Sequence, residues 1–394
     1  MTTRVPGMPR LRLTPMQPRD PREPHRAATS LELFFDLVFV VAVSTAAVQL
    51  HHALAEGHVA EGLLSYGLVF FAIWWAWMNF TWFATSFDTD DWLYRVLTIV
   101  QMSGVLVLAA GIPQAFHGEF AIPVVGYVIM RIAMVTQWLR ASASAGGARR
   151  ATRVYAGGIA AVQVYWVAIL FVPHGVPFTI AFLVGVALEV AIPLLAERRG
   201  QTPWHPHHIT ERYGLFTLIL LGESLLASAN AIIEALEEVE TLGPLVAIAV
   251  LTLVVTAALW WIYFWPPHHR AIGTLGQSIR YGYVHYFVFA AAGAFSAGIE
   301  VEIDALTGHS ALTGVAASFT VTVPIAVFVL GIWWIAIRRS ADRVVNVAVP
   351  AGAVLVLLDP VLPIPVTLTA LILAVVVVVL VLRPPVEAGD RHPS

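Results

Sequence analysis

The sequence predicts an all-α, polytopic membrane protein of about twelve spans, arranged as two parallel six-helix repeats. Three observations carry that expectation. Of the 394 residues, 58% are hydrophobic and 12% charged, whereas an ordinary soluble domain is about 25% charged. Apolar runs of about 20 residues recur along the chain, the length that crosses a hydrocarbon core of roughly 30 Å at 1.5 Å per residue. All 22 basic residues are arginine, and every one except Arg131 falls on the same side once the spans are drawn.

Taken in order, residues 1–29 hold Arg4, Arg10, Arg12, Arg19, Arg22 and Arg26 among prolines and no apolar run. They read as a disordered Arg/Pro-rich cytoplasmic tail, because a signal peptide needs an apolar h-region of about 7–15 residues. Its charge suits anionic lipid head groups, at roughly 1 kcal/mol per arginine near the surface. No folded basic module accompanies it, so nucleic acid is not an expected partner. Spans follow at about 31–53, 62–84, 93–113, 121–141, 152–172, 177–196, 211–233, 244–264, 281–300, 314–336, 344–359 and 362–382. Arginine occupies every second connection: Arg95; Arg140, Arg149, Arg150 and Arg153; Arg198, Arg199 and Arg212; Arg270 and Arg280; Arg338, Arg339 and Arg343; then Arg383 and Arg391. The opposite connections hold Glu56, Glu61, Glu119, Glu234, Glu237, Glu238, Glu240, Glu300, Glu302 and Asp304. Basic residues beside spans stay cytoplasmic, which puts both termini inside a bacterial cell membrane and makes the count even. The absence of cysteine excludes disulfides and thiolate metal sites.

A polar, breaker-rich segment at 197–210 divides the chain into a first membrane half at 30–196 (spans 1–6) and a second at 211–383 (spans 7–12), with a short cytoplasmic tail at 384–394. The halves echo one another. Glu32 opens span 1 as Glu211 opens span 7, and Trp74–Trp75 recurs as Trp260–Trp261. Ala110–Gly111–Ile112 recurs as Ala297–Gly298–Ile299, and Arg153 begins span 5 as Arg343 begins span 11. Six spans per half make the repeat parallel, the arrangement of transporters that bind solute between two halves. The competing reading is chance recurrence among apolar helices.

Ionisable groups inside the membrane cost at least about 2.5–3.5 kcal/mol, so they normally face the bundle or a water-filled cavity. Glu32 and Asp36 share a face of span 1. Thr29 and Glu32 have capping-box spacing, which offers Glu32 a structural role. Asp36 lies about 9 Å inside the span. Glu223 is deeper, about 18 Å from the start of span 7, and Arg131 lies about 15 Å from the cytoplasmic end of span 4. Their similar depth makes Glu223 the natural counter-ion of Arg131, with Asp36 the second choice, in a pair that is either structural or functional. Glu189 in span 6 and His285 in span 9 are candidates for a proton relay, although a lone intramembrane histidine commonly bonds its own bundle. Asp359, before Pro360, reads as a solvated cap. Trp74, Trp75, Trp77 and Trp82 read as packing and interface anchors. His51, His52 and His58, and likewise His205, His207 and His208, lack zinc-site spacing and read as solvated, so no metal or other cofactor is expected.

The stretch Glu32–Leu33–Phe34–Phe35–Asp36–Leu37–Val38–Phe39–Val40, then Glu211–Arg212–Tyr213–Gly214–Leu215–Phe216 and Leu221–Gly222–Glu223–Ser224, resembles the bacterial low-temperature-requirement A (LtrA) family. Gly298–Ile299–Glu300 resembles a further family element, so the likeness runs from about residue 29 to about residue 300. The resemblance implies a multi-pass membrane protein of a family named for a cold-growth phenotype. It places family motifs on Glu32, Asp36, Glu211, Arg212, Gly222 and Glu223. The major-facilitator loop signature is missing, since the connection after span 2 reads Asp88–Thr89–Asp90–Asp91. A secondary transporter or proton-coupled permease of a small solute is the expected function, by analogy of architecture. The alternatives are an integral-membrane lipid-modifying enzyme and a non-transporting cold-response factor. Membrane lipids and a small solute or proton are the expected partners.

Overall fold

The computed structural model describes residues 13–23, 26–235, 242–361 and 367–386. Arg4, Arg10, Arg12, Glu237, Glu238, Glu240 and Arg391 lie outside them. Among the described residues fourteen α-helices follow in order: α1 (Ser30–Ala55), α2 (Val59–Phe87), α3 (Trp92–Ala110), α4 (Ile112–Phe116), α5 (Ala121–Ser144), α6 (Arg149–Ala168), α7 (Val176–Glu197), α8 (Pro206–Ala235), α9 (Leu242–Phe264), α10 (Leu275–Thr307), α11 (Val315–Ile332), α12 (Arg338–Ser340), α13 (Arg343–Leu358) and α14 (Thr367–Leu382). No strand occurs among the described residues. Eleven helical segments in them are long and apolar enough to cross a membrane. The chain is therefore a multi-pass α-helical membrane protein.

The predicted twelfth span corresponds to α14, whose 16 residues reach only about 24 Å. The start of that span, residues 362–366, lies outside the described residues. The third predicted span divides at Gly111: α3 ends there and the short α4 begins with Pro113 in its first turn.

The chain folds as two compact units. The first takes the chain up to Ala42 and from Trp75 to Ile209; the second takes Val43–Trp74 and everything from Thr210 onward. Thus α1 and α2 each contribute one end to each unit. In the first unit α3 and α5 pack closely, because a Cβ on Gly126 would lie 2.4 Å from the Leu108 nitrogen and one on Gly104 would lie 2.7 Å from the Gly126 carbonyl oxygen. Without a hydrophobic drive between helices in lipid, such small-residue contacts are what hold spans together.

In the second unit α10 and α11 make the closest crossing, through Gly298. A Cβ there would lie 2.2 Å from the Thr320 carbonyl oxygen, and backbone cannot yield as a side chain does. Gly298→Ala is accordingly expected to destabilise the protein by about 1–3 kcal/mol, the range for overpacking. Thermal unfolding in detergent checks this, and an unchanged midpoint would rule out the close crossing.

Two polar expectations change in this unit. Asp359 is buried, and its carboxylate accepts from both the backbone nitrogen and the hydroxyl of Thr369. It caps α14 from inside the protein rather than in water. His51 is not a free mouth histidine: its Nδ1 lies 3.0 Å from Glu300 Oε2 and its Nε2 2.7 Å from Asp304 Oδ2. The two tryptophan pairs also differ, since Trp74 and Trp75 are buried whereas Trp260 and Trp261 are each 42% exposed.

Candidate functional site

The site in the first unit is built around α2. Trp75 and Trp77, both fully buried, sit two residues apart and so project from roughly opposite sides of that helix. The Trp77 indole donates to Asp36 Oδ1 at 2.7 Å, and the Trp75 indole donates to Glu189 Oε2 at 2.9 Å. One helix thereby holds two intramembrane carboxylates, one on α1 and one on α7. These tryptophans are hydrogen-bond donors as well as packing anchors.

Glu189 is wholly buried and gathers donors from three helices. Its Oε2 also accepts from Arg131 Nη2 of α5 at 2.6 Å. Its Oε1 accepts from the Tyr127 hydroxyl at 2.9 Å, the Trp166 indole at 3.2 Å and the Gln163 amide at 3.3 Å. A carboxylate has about four lone-pair directions, so these five donors saturate it. The sequence places Trp166 well: Gly185 sits one turn before Glu189 on α7, and a Cβ there would lie 2.7 Å from the Trp166 ring. Arg131 also lies over the Tyr127 ring, 5.3 Å from its centroid. The counter-ion of Arg131 is therefore Glu189, not Glu223 or Asp36. Depth alone could not choose among carboxylates on different helices.

At the start of α1, Glu32 and Thr29 form the expected capping box. Thr29 N donates to Glu32 Oε2 at 2.8 Å, and Glu32 N donates to Thr29 Oγ1 at 3.3 Å. Glu32 has a second partner that sequence reading missed. His208 Nε2 lies 3.2 Å from Glu32 Oε1, and both side chains are buried. His208 is held there because His205 caps α8, its ring Nδ1 accepting from His208 N at 3.2 Å, with Pro206 at the first helical position. With Nδ1 accepting, His205 Nε2 donates to the Glu23 carbonyl at 2.8 Å. The breaker-rich run before α8 was the available signal: its prolines announced a helix start, and its histidines were the groups able to cap it.

The described part of the N-terminal tail packs here as well, rather than standing off as a free arm. Met16 and Arg26 are buried, and Arg26 caps the end of α2 by donating to the carbonyls of Ala84 and Thr85. A guanidinium suits the negative end of a helix. Arg19 lies 3.4 Å from Asp88, whose carboxyl is pushed up to about 6 by burial and by the nearby Glu32 charge. Thr14 N donates to Asp91, and Arg140 at the end of α5 pairs with the same carboxylate.

The remaining expected groups lie in the second unit. His285 is buried with both ring nitrogens engaged, Nδ1 against the Tyr281 carbonyl at 2.8 Å and Nε2 against the Tyr263 hydroxyl at 3.1 Å. That is the bundle-bonding role. Arg212 is fully buried, Glu211 is exposed, and Glu223 is half-buried beside Ser224, whose hydroxyl meets that of Thr256 at 3.1 Å.

Fold and site together define a polytopic membrane protein that buries a Glu189–Arg131 pair between its helices and holds Asp36 on a tryptophan indole. Residues 27–382 match the family described as bacterial low temperature requirement A protein (LtrA), and the chain belongs to it. Among its relatives, the uncharacterized protein RA0937 of Rhizobium meliloti (strain 1021) is 31% identical over 265 residues, 61% of this chain. The matched region spans 59% of that relative's length.

Proposed function

We propose that this protein is a proton-linked secondary transporter of a small solute, set in the bacterial cell membrane with both termini in the cytoplasm. The observation that supports it is the sequence of titratable groups His208, Glu32 and Asp36. His208 touches Glu32, and Asp36 follows four residues later on the same face of α1, about 6 Å deeper. Such a file leads protons from the end of a span toward its interior, where carboxylates serve transporters as relay groups. The Glu189–Arg131 pair is instead an anchor, because its carboxylate oxygens are already taken up by five donors from three helices.

Orientation has its own support. The N-terminal segment, the α2–α3 connection, the end of α5 and the α7–α8 connection converge through Arg19, Arg140, Asp91 and His205. Three of them carry arginine themselves, and Arg95 in the first turn of α3 flanks the fourth, which is the signature of cytoplasmic segments. In the second unit the residues after α14 meet the α12–α13 turn, where Arg383 lies 3.3 Å from Asp342. In this reading the halves at 30–196 and 211–383 are the two repeats of an alternating-access machine.

The test is reconstitution into vesicles loaded with a pH-sensitive dye, with acid outside and pools of small metabolites added. Wild type is expected to acidify the lumen faster than empty vesicles with at least one pool, and Asp36→Asn to abolish the difference at unchanged protein content. Flux at the empty-vesicle level with every pool, or full flux in Asp36→Asn, overturns the reading. Chemical change of the vesicle lipids without proton flux would identify a lipid-modifying enzyme instead.

A further inference from the structure

Three arginines come together at one end of the second unit, on α10 and α12. Gly298 of α10 meets Thr320 of α11, and a Cβ on Gly331 of α11 would lie 2.6 Å from Val288 Cγ2 of α10, so these two helices run antiparallel. About two turns beyond Gly331 lie Arg338 and Arg339, and about two turns before Val288 lies Arg280. All three therefore stand at one level, and the charges of Arg339 and Arg338 bear on Arg280. Arg280 and Arg338 are half-buried and Arg339 is exposed, which leaves the cluster open to its surroundings.

Like charges brought together repel unless something offsets them. Arg95, Arg140 and Arg383 each meet a carboxylate, that of Asp90, Asp91 and Asp342 respectively. Arg280 and Arg338 have no carboxylate partner among the described residues. The Arg338 guanidinium lies instead over the Trp334 ring, 3.8 Å from its centroid. Trp334 is 45% exposed, and a tryptophan on the outer surface of a span near its end marks the level of the lipid head groups. Phe287, 58% exposed, continues the face of α10 that begins at Arg280, two turns deeper into the span. The surface is thus a cationic rim on an apolar wall. A π turn, Trp333–Ile337, directly precedes Arg338, and such turns are rare in helices and frequent at functional sites.

We propose that this cluster binds the phosphate of an anionic phospholipid, phosphatidylglycerol in chemical class. Guanidinium groups take phosphate oxygens in pairs, and the lipid's net negative charge offsets the repulsion among the three arginines. Its acyl chains lie along the wall beside Trp334 and Phe287. A zwitterionic head group brings a cation of its own to the rim, and a soluble phosphate leaves the wall unused. The inference does not rest on the transport reading.

The experiment uses the full chain in a neutral detergent with graded dioleoylphosphatidylglycerol, and bound lipid is counted by native mass spectrometry. The protein is expected to retain this lipid in preference to dioleoylphosphatidylcholine. Arg280→Gln, Arg338→Gln and Arg339→Gln are each expected to weaken retention about five-fold, the scale of one arginine near anionic lipid. Arg339→Gln alters an exposed residue, so it is the variant to read should the others not fold. Arg150→Gln/Arg153→Gln removes two exposed charges from the first unit and is expected to leave retention as it was. Equal retention of phosphatidylcholine, unchanged retention in a folded Arg339→Gln, or an equal loss in Arg150→Gln/Arg153→Gln would each overturn the proposal. So would release of the lipid by inorganic phosphate but not by chloride of the same ionic strength, which would mark a site for a soluble anion.

Discussion

Arg131→Met is expected to lower the stability of the protein by about 3–5 kcal/mol, the cost of leaving one partner of a buried pair uncompensated. The arginine and Glu189 are both fully buried and 2.6 Å apart. Glu189→Gln is expected to cost a similar amount, because it strands the guanidinium instead. The informative variant is the double one, Arg131→Met/Glu189→Gln. It removes both charges and leaves one side-chain oxygen for the indole and hydroxyl donors of Trp75, Trp166 and Tyr127. Its loss should therefore fall short of the sum of the singles by about 2–3 kcal/mol, at the upper end of couplings between contacting residues. Thermal unfolding of the four proteins in one detergent gives the cycle. Additive losses would mean that the pair is not coupled and that Arg131 is held by its other neighbours. A further consequence concerns Gly185: any larger residue there displaces Trp166 and should weaken the same cluster without changing a charge.

Much of the fold was legible because the membrane imposes it. Span lengths follow from hydropathy, and short polar signals mark several ends: Asp91 accepts from Tyr94 N at the start of α3, and Asp342 accepts from Val345 N at the start of α13. The Thr29–Glu32 capping box was readable for the same reason, since all its atoms lie within one turn. What was not legible depends on which helices are neighbours. Arg131, Glu189 and Asp36 were each visible as costly intramembrane charges, but their partners sit on other helices. Depth along a span cannot rank those partners. Trp75 and Trp77 were hidden by their own chemistry, because an indole that donates to a carboxylate and one that only packs look identical in sequence. His208 was masked by the polar run around it, which suggested water where the structure has a buried contact with Glu32. The packed tail was hidden too, since Arg26 finds its acceptors at the end of α2, 58 and 59 residues away.

The second large effect is a loss of stability on acidification that passes through His268. This residue lies between α9 and α10 in a short 3-10 turn, His268–Ala271, and its ring stacks on Tyr263 with centroids 4.6 Å apart. Nε2 donates to the Tyr263 carbonyl at 2.6 Å, and Nδ1 accepts from the Tyr281 hydroxyl at 3.0 Å. Both nitrogens are thus satisfied in the neutral ring, and a second ring proton would require the Tyr281 hydroxyl to turn from donor to acceptor. Burial pushes the imidazole down from 6.5 to about 4. In the unfolded chain it titrates near 6.5. Between those values the unfolded state binds the additional proton, so stability is complete above pH 6.5 and falls as pH drops toward 4. The loss attributable to this one group is about 2 kcal/mol by pH 5 and on the order of 3 kcal/mol in full. His268→Gln offers a donor and an acceptor but does not titrate. It is expected to be less stable than wild type at pH 7.5, having lost the ring stack, yet to lose distinctly less on going to pH 5. Melting temperatures of both proteins at the two pH values decide it, and parallel shifts in the pair would show that other groups carry the acid sensitivity.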